Sequence, residues 1–350
     1  MANELFVMSL AVLSSLLFAW GFRALPQERW QIMASIPLSK EDPDRWRGVN
    51  LTYYGLFIAN AGAMAVSIFF ILLGAIGTPP QGALAFVAVT LALAVLGSKA
   101  VARAVEKKVH TSTMAGASFV AFLMAPWLMW LANTTLGGRW GLRIPILPSL
   151  AAAAIAYAWG EGMGRLACIS FGCCYGKSLA HLHPVLRTLF SKCSFTFFGR
   201  TKKIAYQGGM EQEKVVPIQA ITSIVLILTA LIGILLFLKS RYSIALALSI
   251  GLSQGWRVLS ETLRADYRGP GKVSAYQEMA LFMILYALGI AALLPAPPIP
   301  LPDIVAGIDV LWNPSMILFL ETLWLALFLY YGRSTVTASS ISFHVLRDRI

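Results

Sequence analysis

The chain of 350 residues has few charged side chains and few cysteines. Only 13% of its residues are Asp, Glu, Lys or Arg, whereas 58% are hydrophobic and the mean hydropathy is +0.71. This balance excludes an ordinary soluble domain. Cys168, Cys173 and Cys174 lie too close together in sequence to staple distant segments, so a disulfide framework is not expected. The sequence also lacks an internal repeat and a low-complexity tract, which favours one membrane domain.

Long apolar runs dominate what is present. A helix that crosses a bilayer needs roughly 20 mostly apolar residues. The sequence therefore predicts an all-α polytopic membrane protein with about nine transmembrane helices. They cover residues 4–22, 53–77, 82–100, 113–133, 147–172, 216–238, 243–265, 274–295 and 307–331. No basic residue precedes the first run and no small-residue cleavage site follows it, so we expect an anchor helix and not a signal peptide.

Four longer polar segments flank or connect these runs. They are residues 23–52, a basic loop at 101–112, a polar insert at 177–215 and the tail after Gly332. With nine spans, all four segments lie on the same side of the membrane. The loops on the other side are short, and two of them, TPPQG and PPIPLP, are typical of tight Pro-rich turns.

Basic residues are concentrated on the side of these four segments. Of the 28 Lys and Arg, 24 fall at or near that side. The other four are Arg139, Arg143, Lys239 and Arg241. The positive-inside rule makes the basic side cytoplasmic. Alternatively, part of this charge binds an anionic lipid headgroup. The two interpretations are compatible.

Ionisable residues inside the apolar runs indicate a site, because such residues are expensive in a membrane and face the protein interior by default. The seventh run ends in WRVLSETLRADYRG, where Arg257, Glu261 and Arg264 have the spacing of one helical face. Two guanidinium groups held by a carboxylate suit phosphate oxygens. The alternative is a salt bridge that only locks two helices together.

The fifth run repeats this chemistry in GEGMGRLACISFGCCYG. Glu161 and Arg165 are again four residues apart, as neighbours on one helical face are. Glycines at 160, 162 and 164 would allow another helix to approach closely.

Two weaker polar elements accompany these charges. Tyr53 and Tyr54 in NLTYYGLFIAN are either interfacial aromatic residues or part of a polar site. In VVPIQAITS, Pro217 can open a helix, which would place the Gln219 amide just inside the membrane.

In chain order, these elements resemble the prolipoprotein diacylglyceryl transferase family of bacterial inner-membrane enzymes. The matching elements are YGL from Tyr54, MGRL from Met163, the pair Tyr175 and Gly176, Pro217-x-Gln219, and the R-x-x-x-E-x-x-R pattern from Arg257. The resemblance covers about 53–295, and the insert at 177–215 falls where the family carries its extramembrane head. It implies a seven-helix family core, with one extra helix at each end.

The resemblance implies three parts of the chain: an anchor helix and basic loop at 1–52, a transferase-like membrane core at 53–295 with its cap at 177–215, and an extra helix and tail at 296–350. It also implies a multi-pass protein of the bacterial inner (cytoplasmic) membrane. The family places its head outside the cell, which favours an external cap, although the positive-inside rule favours a cytoplasmic one.

The implied activity belongs to lipoprotein biosynthesis. The family transfers a diacylglyceryl group from phosphatidylglycerol to the thiol of a lipoprotein signal-peptide cysteine and releases glycerol phosphate. The expected partners are phosphatidylglycerol or a similar anionic phospholipid, a prolipoprotein and membrane lipids, without nucleic acid and without a cofactor. A non-enzymatic protein that binds or transports anionic lipids is the alternative, because the same arginines would serve it.

The family's roles are carried over by position. Arg165 and Arg257 would bind the donor phosphate or its developing charge, with Glu261 as their orienting partner. Tyr54 would line the cavity near the reacting centre. The remaining expected substrate-binding residues are Arg264, Gln219, Glu161, Gly164, Gly176, Cys168 and Cys173.

The chain departs from the family where the acceptor thiol is activated. Cys168 and Cys173 replace an asparagine and a glutamate of the family, and Phe171 replaces a second asparagine. The family histidine has no clear counterpart, because Ala115 is near its position and His110 is about one turn upstream. A thiol must lose its proton to become a nucleophile, so this role is unassigned.

Three interpretations of SFGCCYG stay open. The cysteines are small fillers where a helix turns sharply, or one of them near Arg165 has a lowered pKa and takes part in chemistry. The third is a metal site that includes His181 and His183, whose spacing from the cysteines matches no familiar zinc pattern. We therefore predict no metal.

Overall fold

The computed structural model of the protein describes residues 1–106, 113–137, 143–266, 273–295 and 297–350. Helices form most of these ranges. They are α1 (Ala2–Ala24), α2 (Tyr53–Ala75), α3 (Pro80–Glu106), α4 (Met114–Ala132), α5 (Ile146–Phe171), α6 (Pro184–Phe190), α7 (Lys203–Tyr206), α8 (Ile218–Leu238), α9 (Tyr242–Glu261), α10 (Ala275–Leu293), α11 (Ile304–Asp309) and α12 (Pro314–Gly332).

Eight of the nine predicted apolar runs coincide with one long helix each, apart from shifts of a few residues at their ends. The ninth, 307–331, is divided, because α11 and a 3-10 turn precede Pro314, where α12 begins. Within the described residues, seven helices are long and apolar enough to cross a membrane, namely α1, α2, α3, α4, α8, α10 and α12. Helices α5 and α9 are as long, with 26 and 20 residues, but carry the glycines and ionisable residues noted above. A mostly helical, multi-pass membrane protein is therefore confirmed, whereas nine spans stays a prediction.

One face of the bundle collects the polar segments, and we call it the cap face. The segment just after α1 contacts the insert through a hydrogen bond of 3.1 Å from Phe198 N to Pro26 O. The start of α2 meets the end of α12 where Thr52 Oγ1 donates to Gly332 O at 3.0 Å. The segment 23–52, the insert and the tail thus share this face. Arg139 and part of the loop at 101–112 lie outside the described residues.

Segment 23–52 is not the loop that the sequence predicted. It contains β1 (Ile32–Asp42) and β2 (Arg45–Thr52), which pair antiparallel, and β5 (Arg333–Ile341) pairs with the other edge of β2. Along the end of β2, buried and half-buried residues alternate, as in a strand with one covered side. This small sheet is an addition to an otherwise helical architecture. The parts at 1–52 and 296–350 also pair with each other.

A single buried amide links the three strands. Asn50, in the central strand, accepts a hydrogen bond from Ser35 Oγ at 2.7 Å and donates one to Thr337 Oγ1 at 3.1 Å. Because buried polar groups are costly unless satisfied, this side chain favours one register of all three strands.

Helix α5 lies at the centre of the bundle and is buried along most of its length. A Cβ added at Gly160 would lie 2.9 Å from Ala65 Cβ on α2, and one at Gly162 would lie 3.1 Å from Ile227 Cγ1 on α8. These two glycines therefore allow the close approach that the sequence indicated. At Gly164 the nearest atom is Ile58 Cδ1, at 3.7 Å, which is ordinary contact.

The insert carries α6 and α7, a two-stranded ladder of β3 (Phe195–Thr196) and β4 (Lys214–Val215), and the fully buried Lys202. The ammonium of Lys202 donates to Leu25 O at 3.1 Å and to Ser170 O at 2.5 Å. These carbonyls belong to the C-terminal ends of α1 and α5, where helices carry unsatisfied acceptors and partial negative charge. Lys202 therefore fastens the cap to both helices.

Burial lowers the pKa of Lys202 to about 7 from 10.5, and Glu28 opposes this shift. Between these two pH values the unfolded chain holds one proton more than the folded chain. The free energy of unfolding should therefore rise with pH in this window, by up to ~1.4 kcal/mol per pH unit. Below pH 7 the lysine is protonated in both states, and its contribution does not change with pH.

We expect Lys202→Met to abolish this dependence. The Tm difference between wild type and Lys202→Met, measured in detergent, should widen as the pH rises from about 7 to about 9. Lys203→Met, which changes the neighbouring half-buried lysine, should keep the wild-type profile. Parallel profiles for wild type and Lys202→Met would contradict this account.

Candidate functional site

Glu161 on α5 joins two arginines inside the bundle. Its Oε1 accepts a hydrogen bond from Arg165 Nη2 on the same helix, and its Oε2 accepts one from Arg257 Nη2 on α9 at 2.6 Å. The side chain of Glu161 is 7% exposed, and those of Arg165 and Arg257 are 15% and 11% exposed. This ion network brings α5 and α9 together.

Tyr157 and Gln254 complete the network. The Tyr157 hydroxyl donates to Glu161 Oε2, and it accepts from Arg257 Nη2 at 2.6 Å and from Gln254 Nε2 at 3.2 Å. Sequence reasoning missed both residues. Helical spacing could have found them, because Tyr157 precedes Glu161 by four residues and Gln254 precedes Arg257 by three.

The network is not saturated. The Nε atoms of Arg165 and Arg257 are buried, and neither has a hydrogen-bond partner in the part of the chain that the structure describes. Two guanidinium groups share the one carboxylate of Glu161, so these three side chains together carry one positive charge. Buried donors without acceptors are costly, which makes this cluster a candidate anion site.

The predicted grouping of Arg257, Glu261 and Arg264 on one helical face is wrong at Arg264. Helix α9 ends at Glu261, and Arg264 lies in the following turn. There its Nε and Nη2 donate to the two carboxylate oxygens of Asp266, at 2.8 and 2.7 Å, and its backbone pairs with Gly176. Arg264 is still close enough to Arg165 for mutual repulsion.

The orienting carboxylate is likewise a different residue from the one predicted. Glu161 contacts both Arg165 and Arg257. Glu261 is the last residue of α9 and attracts Arg264. Both glutamates stand four residues from an arginine, so helical spacing could not decide between them.

A tight turn gathers three cysteines at the end of α5. Gly172 has a left-handed φ of +72°, which ends the helix, and Cys173 N donates back to Cys168 O at 3.0 Å. Cys174 is also left-handed, with φ +53°. As a result, the Sγ atoms of Cys168, Cys173 and Cys174 all lie within 4.8 Å of one another, as free thiols.

Other predicted site residues adjoin this cysteine turn. Gln219 is buried, and its Nε2 donates to Cys173 O at 2.9 Å. Tyr54 packs edge to face on Phe171, with ring centroids 5.5 Å apart, and interacts electrostatically with the three thiols. At Gly176, a Cβ would collide with Val216 O, so only glycine fits the backbone pairing with Arg264.

The histidines considered for a metal site lie elsewhere. His181 and His183 are exposed on the cap, whereas Cys168 and Cys173 are buried. Ala115, near the family's histidine position, is buried on α4. His110 lies outside the described residues.

The three thiols differ in acidity. Hydrogen bonds from Cys168 and Cys173 lower the pKa of Cys174 well below its usual value of 9.0, and attraction to Arg264 and Arg165 lowers it further. The same contacts, together with burial, raise the pKa of Cys173 well above that value. Cys174 is therefore the thiol that most readily becomes a thiolate.

We expect Glu161→Gln to destabilise the protein by about 3 to 5 kcal/mol, because it leaves two buried guanidinium groups without their counter-charge. Unfolding in detergent by heat and by denaturant would measure the loss. Glu321→Gln, a matched change at an exposed glutamate on α12, should stay within about 0.5 kcal/mol of wild type. Equal stability of the two variants would show that Glu161 does not hold the arginines.

No protein-family model matches the chain, and none of the curated proteins compared with it gives a significant match. The likeness to the diacylglyceryl transferases therefore depends on the sequence motifs, and the chemistry of the site on the geometry described above.

Proposed function

We propose that the chain is a bacterial inner-membrane transferase that uses an anionic glycerophospholipid, phosphatidylglycerol, as a diacylglyceryl donor. The acceptor is a lipoprotein cysteine thiol or another nucleophile of similar reactivity. One observation carries this proposal: Arg165 and Arg257 share the buried carboxylate of Glu161, and among the described residues their Nε donors have no acceptor.

The excess charge supports a ligand with one negative charge. A phosphodiester has that charge, and its two free oxygens can accept from the unpaired donors of both arginines. The pair formed by Arg264 and Asp266 in the same protein is different, because two donors of the arginine meet both carboxylate oxygens. A purely structural ion pair would resemble that pair and would leave no charge over.

The arginines also suit the proposed reaction. A thiolate attacks the carbon of the diacylglyceryl group that is esterified to phosphate, a C–S bond forms, and the bond between that carbon and the phosphate oxygen breaks. Glycerol phosphate leaves with the electron pair of that bond, and negative charge grows on its oxygen. Arg165 and Arg257 would stabilise this charge, while Glu161 and Tyr157 hold Arg257 in place.

The donor is tested with purified protein in nanodiscs. We expect glycerol phosphate release, and a matching mass increase of a cysteine-containing signal peptide, with phosphatidylglycerol but not with zwitterionic phosphatidylcholine. Selective and saturable binding of phosphatidylglycerol without any release would favour the non-enzymatic lipid-binding alternative. If the protein neither releases glycerol phosphate nor binds phosphatidylglycerol selectively, both functions are contradicted.

Arg257→Lys tests the guanidinium itself. Lysine keeps the charge but cannot reach Glu161, Tyr157 and a phosphate oxygen with several fixed donors, so turnover should fall on the order of 100-fold while Tm changes little. Arg241→Lys, at the opposite end of α9, provides the control and should retain wild-type turnover. Near wild-type turnover in Arg257→Lys would remove this arginine from phosphate binding.

A further inference from the structure

The cysteine turn has the dimensions of a metal site. The Sγ atoms of Cys168 and Cys174 are 3.9 Å apart, and all three sulfurs lie within 4.8 Å of one another. Zinc binds thiolates at about 2.3 Å, which places two sulfurs of a tetrahedral site about 3.8 Å apart. The cluster would need only a small contraction to close around one ion.

Separate parts of the fold hold the three sulfurs in place. Cys168 is fixed by α5, and the carbonyl of Cys173 is fixed by Gln219 of α8. Cys174 adopts a left-handed backbone, which is uncommon for a residue with a side chain and is maintained where the surrounding structure demands it. A cysteine that only filled space at the end of a helix would not require this conformation.

Two arginines lie beside the cysteine turn. Arg165 and Arg264 both attract Cys174, and Arg165 also attracts Cys168. Three thiolates with one divalent cation carry a net charge of −1, so these arginines would stabilise the occupied site and would not repel it.

We propose that Cys168, Cys173 and Cys174 bind one divalent, thiophilic cation of the zinc type and leave its fourth position open. Three protein ligands with one open position are the pattern of catalytic zinc, whereas structural zinc has four protein ligands. This site replaces the expectation of no metal drawn from the sequence.

The open position supplies a way to activate the acceptor thiol, the role that the sequence leaves unassigned. An acceptor thiol that coordinates there gives up its proton to solvent, because a metal-bound thiol is deprotonated. The resulting thiolate is then the nucleophile that forms the C–S bond. Only this role depends on the proposed transferase function, because the metal site itself rests on the cysteine geometry.

Metal binding is tested on the full chain in detergent, after reduction and removal of metal with a chelator. We expect it to bind about one Co²⁺ or Zn²⁺ per chain by elemental analysis, with thiolate-to-cobalt charge-transfer absorption for Co²⁺. Serine variants of Cys168, Cys173 and Cys174 should each lose that absorption. Cys193→Ser, which changes the exposed cysteine of the cap, should keep it.

A second measurement needs no folded variant. In the wild-type chain, Zn²⁺ should slow maleimide labelling of Cys174, read by mass spectrometry, without slowing that of Cys193. Three results would overturn the site. The first is labelling of Cys174 that Zn²⁺ does not slow, and the second is cobalt absorption that survives Cys174→Ser. The third is a chain isolated with a Cys168–Cys174 disulfide that takes up no metal after the disulfide is reduced.

The metal site and the transferase function fail separately. Glycerol phosphate release by the metal-free chain, equal to that of the zinc-loaded chain, would remove the metal's role and leave the transferase standing. Metal binding by a chain that never releases glycerol phosphate would keep the site and remove the proposed reaction.

Discussion

The carboxylate of Glu161 is the constraint on which the bundle depends. Buried guanidinium groups are tolerated only when a counter-charge and hydrogen bonds meet them, and Glu161 supplies both to α5 and α9 at once. Gly160 and Gly162 allow α2 and α8 to pack closely against α5, the helix that carries Glu161. The ionisable residues of α5 and α9 are therefore tolerated because they pair with one another.

The C-terminal end of α5 is where membrane core and cap meet. Ser170 accepts from Lys202 of the cap, Gly172 ends the helix, and Cys173 is held by Gln219 of α8. These contacts satisfy backbone groups that a helix end would otherwise leave without partners. They also fix the direction of the cysteine turn. The short segment from Ser170 to Cys173 therefore determines both where the cap attaches and where the thiols lie.

Hydrophobic runs and local spacing explain what the sequence could predict. Run length predicted the long helices, and the four-residue spacing predicted that Glu161 meets Arg165. Contacts between segments that are distant in sequence could not be predicted from local patterns. Asn50 and Thr337, for example, are 287 residues apart, so no local pattern indicated the three-stranded sheet. The cysteine cluster depends on left-handed backbone at Gly172 and Cys174. Glycine allows that conformation, but a cysteine gives no sign of it.

Arg165 connects the two halves of the proposed chemistry. Cys168 follows it by three residues and Glu161 precedes it by four, so all three share one side of α5. Arg165 therefore contacts the carboxylate that holds Arg257, and it also attracts the thiols of Cys168 and Cys174. A displacement at carbon needs the nucleophile and the leaving group on opposite sides of the same carbon atom. With a thiolate on the cysteine side and a phosphate on the arginine side, one guanidinium would border both, and its charge would favour the departing phosphate without a separate acid.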